Sequence, residues 1–302
     1  MSERVQKYMV IPAAMYFGAA VYNVALPLLI VDLGGNVVDY AILNIVYNTL
    51  YALSSWTLPS VFKGFSRKSM LITSYGFLAL IALLTAYARS VLYLVLLQIP
   101  YALAIAFATV IQTNVFVELW KGRRGITVLY IATSIGWIVS LSMSSILRKY
   151  VDTFTLLYLS VIGFASAAIA SAYLPQIIGV IEAQRVLSLR AMYRWVIERA
   201  RMLNIFVTPR PSLRLGKVSA LKLFLLAVGI TYIAIGAFFT SMPIYLKKLY
   251  RVSDSTIFAL TATAGATSFI LYFLQLRISE KVEVVWKTHI VALSIRTAIF
   301  LT

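Results

Sequence analysis

Apolar residues in this chain gather into long runs separated by short polar breaks. From Tyr8 to Phe62 no Lys or Arg interrupts two successive runs, and then Lys63, Arg67 and Lys68 fall together in VFKGFSRKSM, residues 61–70. A helix needs ~20 apolar residues to cross a ~30 Å hydrocarbon core. By that length the runs predict helices at about residues 8–31, 38–62, 69–88, 91–119, 125–147, 153–174, 220–246, 255–276 and 287–302. The first run lacks a small-residue cleavage site and leads straight into the second, so it reads as a span and not as a cleaved signal peptide. The pattern predicts an all-α integral membrane protein, a bundle of about nine transmembrane helices.

Composition agrees. The chain is 61% hydrophobic, only 12% charged, and has a mean hydropathy of +0.89; a soluble domain carries roughly a quarter charged residues. Its net charge of +17 would suggest nucleic acid in a soluble protein. Here the cations sit mainly in loops, so lipid headgroups and topology account for them, and no nucleic-acid partner is expected. The absence of cysteine excludes disulfides and thiolate metal sites.

Loop charge also predicts sidedness. With a cytoplasmic N-terminus, 20 of the 27 Lys and Arg fall on the cytoplasmic side and 6 opposite, with Arg296 inside the ninth span. Without the long loop the count is still 11 against 6. The positive-inside rule therefore places the N-terminus in the cytoplasm, and the cationic knot at 61–70 becomes a cytoplasmic turn between the second and third spans.

The chain also repeats a pattern. YFGAAVYNVALP (16–27) and YIAIGAFFTSMP (232–243) both set Tyr and Pro eleven apart, at an offset of 216. Lys63 precedes Glu280 by 217, each in the turn after an even-numbered span. Six spans per unit leave both units in the same orientation, one recurrent transporter plan. The expected domains are a six-helix bundle at 1–175, a basic cytoplasmic linker at 176–219 and an incomplete second bundle of three helices at 220–302. In the linker, LSLRAMYRWVIERARMLNIF puts Arg190, Arg194 and Arg201 on one helical face, with Leu189, Met192, Val196, Ala200 and Leu203 towards the other. That pattern suits a helix lying on an anionic leaflet.

Six spans, a basic linker and a second such unit resemble the major facilitator superfamily of secondary transporters. PSVFKGFSRKSML resembles the family's loop pattern G-x-L-A-D-R-x-G-R-R-x-x-L through Val61, Phe65, Arg67, Lys68 and Leu71. It departs where Pro59 and Ser66 replace glycines and Lys63 replaces the acid. Ile278, Ser279, Glu280 and Lys281 are similar to the L-A-D-R centre of that pattern, and Glu118, Arg124 and Gly125 to the family's acid-then-Arg-Gly turn. The resemblance implies a carrier working by alternating access, with Lys63, Arg67, Lys68, Glu118, Arg124, Glu280 and Lys281 at a cytoplasmic gate. It also implies that three helices of the second unit are missing, so that the chain is expected to be a fragment or a truncated frame.

The resemblance places the first, fourth and seventh spans around a central cavity. The fourth carries Gln98, Ala102, Ile105, Thr109 and Gln112 at spacings of four and three, a stripe expected to line that cavity. Tyr16 and Asn23 on the first span, Asn48 on the second and Tyr232 on the seventh are the other candidates. Polar residues in a span face the bundle interior or water; interhelical hydrogen bonding is the competing use of a single Asn. Ala132, Gly136, Ser140 and Ser144, four apart on the fifth span, read as a ridge for close packing. No carboxylate falls at mid-membrane: Asp32 and Asp254 lie at outer ends and Glu118 at an inner end. Arg296, about ten residues into the ninth span, is an intramembrane charge expected to have a partner.

The sequence thus predicts a multi-pass cell-membrane transporter of a small solute, by uniport or ion coupling. It is expected to be monomeric, to contact anionic lipids through its linker, and to need no metal or cofactor. It is not expected to be an enzyme. One histidine, His289, and no paired acids weigh against an intramembrane lipid-modifying enzyme. A non-transporting scaffold or sensor is the other alternative.

Overall fold

The computed structural model describes residues 7–61, 66–120, 123–174 and 242–278. Among them there is no strand. A 3-10 turn, Lys7–Met9, leads into α1 (Val10–Asp32), followed by α2 (Val37–Val61), α3 (Arg67–Ala86), α4 (Val91–Leu119), α5 (Arg123–Leu147) and α6 (Thr153–Ser171). Residues 242–248 are helical, and α7 spans Asp254–Ile278. Five stretches are long and apolar enough to cross a membrane: Lys7–Asp32, Arg67–Ala86, Val91–Leu119, Gly125–Leu147 and Thr153–Ser171. The protein is therefore a multi-pass helical membrane protein. At 25 residues each, α2 and α7 are also long enough to cross a membrane. The expected linker at 176–219 and the ninth span, with Arg296, lie outside the described residues, as does the seventh span before residue 242.

Short polar motifs set the helix boundaries. After Asp32, Gly34 adopts φ 80, a left-handed conformation that glycine enters without a Cβ penalty. Its N–H bonds Val31 O at 3.0 Å and that of Gly35 bonds Ile30 O at 2.7 Å, a Schellman stop. Two residues on, Asn36 and Asp39 form a reciprocal cap: Asn36 Oδ1 accepts from Asp39 N at 3.2 Å and Asp39 Oδ2 from Asn36 N at 2.8 Å. Ser90, Asp152 and Ser253 cap α4, α6 and α7 by accepting from the N–H three residues on. Thr155 donates to Asp152 from its side chain and its backbone, holding that loop carboxyl below the usual carboxylate range.

The core is built around α1, which packs on α5 and α6; α3 also packs on α6, α4 on α2 and α3, and α7 on α5. Backbones come close where side chains vanish. A Cβ on Gly163 would lie 2.7 Å from Gly18 Cα, and one on Gly18 would lie 2.8 Å from Ser160 O, so α1 and α6 cross almost backbone to backbone. The α5 ridge seats on α1: Gly136 abuts the Ala13 backbone, Ser140 Oγ donates to Phe17 O at 2.7 Å, and Ala132 and Ser144 are buried.

Candidate functional site

Among the described residues charge is confined to the two ends of the bundle. Every described Asp, Glu, Lys and Arg lies in a loop or close to a helix terminus. At one end α3 begins at Arg67, so Arg67 and Lys68 belong to a helical first turn and not to the expected loop. No helix breaker separates them from Met70. A cation there opposes the positive end of the helix dipole, and Arg67 is nonetheless buried. Glu118, near the C-terminal end of α4, supplies the counter-charge through an ion pair with Arg67 Nη1. The expected gate residues Arg67 and Glu118 are thus brought together. Lys63, Glu280 and Lys281 lie outside the described residues, and so does the side chain of Arg124. Trp120 stacks on Phe116 beside this pair, with ring centroids 4.8 Å apart.

Between the ends the bundle interior is neutral and rich in tyrosine. Gln98 Nε2 donates to Tyr22 Oη at 2.8 Å, and Tyr22 Oη lies 3.3 Å from Thr85 Oγ1, tying α4 to α1 and α3. Tyr75 Oη donates to Gln112 Oε1 at 3.1 Å. Gln98 and Gln112 are both buried, so the two amides at the ends of the expected cavity stripe brace neighbouring helices in this structure. Thr109, between them, is partly buried and bonds Tyr51 Oη at 3.1 Å. Tyr101 stacks on Tyr22 at 4.1 Å and contacts Tyr47, which stacks on Tyr51. Asn48 is exposed and its amide donates back to Asn44 O at 2.9 Å. Asn23 is the one exposed position between Gly18 and Ile30 of α1, and Tyr16, two turns before it, is partly buried. Tyr232 lies outside the described residues.

The opposite end holds a constellation that sequence reasoning did not assemble. Lys247 Nζ lies 2.6 Å from Asp32 Oδ1 and 3.2 Å from Asp254 Oδ2. Arg148 Nη2 reaches the same Asp254 oxygen at 2.7 Å. Thr153 Oγ1 donates to Asp32 Oδ2 at 3.0 Å, and Lys248 Nζ to Gly35 O at 2.7 Å. The ends of α1 and α5 and the starts of α6 and α7 therefore meet through one charged knot. Ser145 and Ser255 add a direct α5–α7 link, each hydroxyl donating to the other's carbonyl. The sequence signal was the placement of lone acids and cations at span ends, but partners 106 and 215 residues apart gave no local pattern. Among the described residues no group of three His, Cys, Asp or Glu is placed to hold a metal ion.

Comparison of the sequence with family models and with curated proteins finds no match.

Proposed function

We propose that the chain is a carrier of the major facilitator type, moving a small solute across a membrane by alternating access. What carries this reading is the distribution of charge. Paired ions form one lock at each end of the bundle, Arg67–Glu118 and Asp32–Lys247–Asp254–Arg148, around a neutral middle in which Asn23 is exposed. A carrier needs removable closures at both ends and a polar but uncharged path between them. Each lock keeps one partner within reach of water, Glu118 at one end and Asp32 at the other, so opening it can tip two states that are nearly equal in energy.

In this reading the N-terminus is cytoplasmic, the Arg67–Glu118 pair belongs to the cytoplasmic gate, and the Asp32 knot closes the other side. The described ends fit the expected span order. α6 runs antiparallel to α1, with Thr153 beside Asp32, so Leu174 lies at the Glu118 end, whereas Lys247 lies at the Asp32 end. The test is flux. Protein reconstituted in liposomes, screened against sugars, amino acids and aromatic acids, should show saturable uptake of one class. Lys247→Gln should change that rate while leaving the protein folded. Folded protein without uptake of any solute would favour a scaffold or sensor.

A further inference from the structure

At the Asp32 end a cavity of about 750 Å³ opens between the end of α5 and the start of α7. Its wall carries Arg148, Lys149, Lys247 and Arg251 against a single acid, Asp254. That acid is already engaged by two of these cations: its Oδ2 accepts from Arg148 Nε at 3.1 Å, Arg148 Nη2 at 2.7 Å and Lys247 Nζ at 3.2 Å. Lys149 and Arg251 have no ion-pair partner among the described residues. The first turn of α7 forms part of the same wall and adds the positive end of a helix dipole.

Two further observations make this excess informative. Arg251 holds φ 51, the only positive φ at a non-glycine among the described residues, and such strain persists where the surroundings impose it, often at a binding site. Of the six described Lys and Arg at this end, all but Arg89 fall at 148–149 or 247–251. Under the sidedness proposed above this is the side that the positive-inside rule leaves poor in cations, so their gathering at one seam calls for a counter-charge.

We propose that this cavity binds a phosphate group, with Lys149 and Arg251 as its principal ligands. A guanidinium fork and an ammonium together match a tetrahedral anion carrying one or two charges and several acceptor oxygens. Ile146 and Ala259 also line the cavity and give it an apolar side. A phospholipid headgroup and a free phosphate share the chemistry that this site recognises. The site is independent of whether the protein transports anything.

The experiment uses the full chain in an uncharged detergent, titrated calorimetrically with inorganic phosphate and, separately, with a short-chain phosphatidylglycerol. The wild type should bind at least one probe. Lys149→Gln/Arg251→Gln should bind it about tenfold more weakly, having lost two charge-assisted contacts, with its ligand-free melting temperature unchanged because neither cation has an ion-pair partner among the described residues. Tighter binding of the lipid assigns the site to a headgroup, and tighter binding of phosphate to a soluble anion. Ala259→Phe, which narrows the cavity without altering a charge, should weaken the same probe. Failure of both probes to bind the wild type, or equal binding by the wild type and the double variant, would overturn the proposal.

Discussion

Replacing Gly136 with alanine probes the seam between α1 and α5 at its tightest point. The new Cβ would fall on the carbonyl oxygen of Ala13, with Ala13 C and Cα at 2.9 and 3.0 Å. These are helix backbone atoms, so no rotamer change relieves the clash, and α1 has to move off α5. That displacement strains the Ser140–Phe17 hydrogen bond of 2.7 Å one turn further on and loosens buried Ala132 and Ser144. Overpacking of this kind costs about 1–3 kcal/mol, partly offset by the roughly 0.4–1 kcal/mol that Gly→Ala gains through the unfolded chain. Gly76 is the internal control. It lies within α3, and a Cβ added there would meet nothing within 4 Å, so Gly76→Ala should keep the gain without the clash. The two variants should therefore differ in opposite directions from the wild type, by about 1–3 kcal/mol in total. Reversible unfolding of each in mixed detergent micelles, followed by circular dichroism, measures the gap. Equal stability of the two variants, or a Gly136→Ala protein more stable than the wild type, would refute the packing argument.

Three further outcomes follow from the ends of the bundle. Glu118→Gln leaves the buried Arg67 guanidinium without its counter-ion and should cost about 1–3 kcal/mol in unfolding experiments, whereas Asp39→Asn, which keeps an acceptor at an exposed cap, should cost little; equal losses would deny the pair its role. Asp152→Ala removes the α6 cap and should cost about 0.5–2 kcal/mol at neutral pH. Because Thr155 holds the Asp152 carboxyl below its usual range, its contribution is complete above the unfolded pKa and fades as pH falls through the lowered folded value. Wild type and variant should then converge only in acid, and convergence near neutral pH would contradict the cap. Lys247→Gln removes the bridge between Asp32 and Asp254 and should raise thiol accessibility at the half-buried position 37 in a Val37→Cys background; unchanged labelling would show that the knot does not restrain that end.

What is legible in the sequence follows from local rules. The α4 run of 91–119 emerges with the same bounds because Ser90 starts it and its apolar residues continue for 29 positions. The small-residue ridge on α5 reads as packing from its period alone, and it seats on α1. Direction is less legible. A stripe from Gln98 to Gln112 defines a helix face but not its neighbour, and Tyr22 and Tyr75, which engage those amides, come from α1 and α3. The apolar run predicts α3 from residue 69, yet the helix begins at Arg67. Two adjacent cations look like loop, while their burial against Glu118 is a tertiary fact. The Asp32 knot lies furthest out of reach, since Asp254 and Lys247 meet Arg148 and Asp32 only after the whole bundle has folded.

The central claim is that water reaches Asn23 from one side at a time. The chain contains no cysteine, so Asn23→Cys supplies a single thiol that a membrane-impermeant maleimide can label in vesicles of known orientation. Labelling should occur from one side. Adding Lys247→Gln should increase labelling from the Asp32 side, and adding Glu118→Gln should increase it from the opposite side. A thiol that labels from neither side in all three backgrounds, as a lipid-facing position would, contradicts the account.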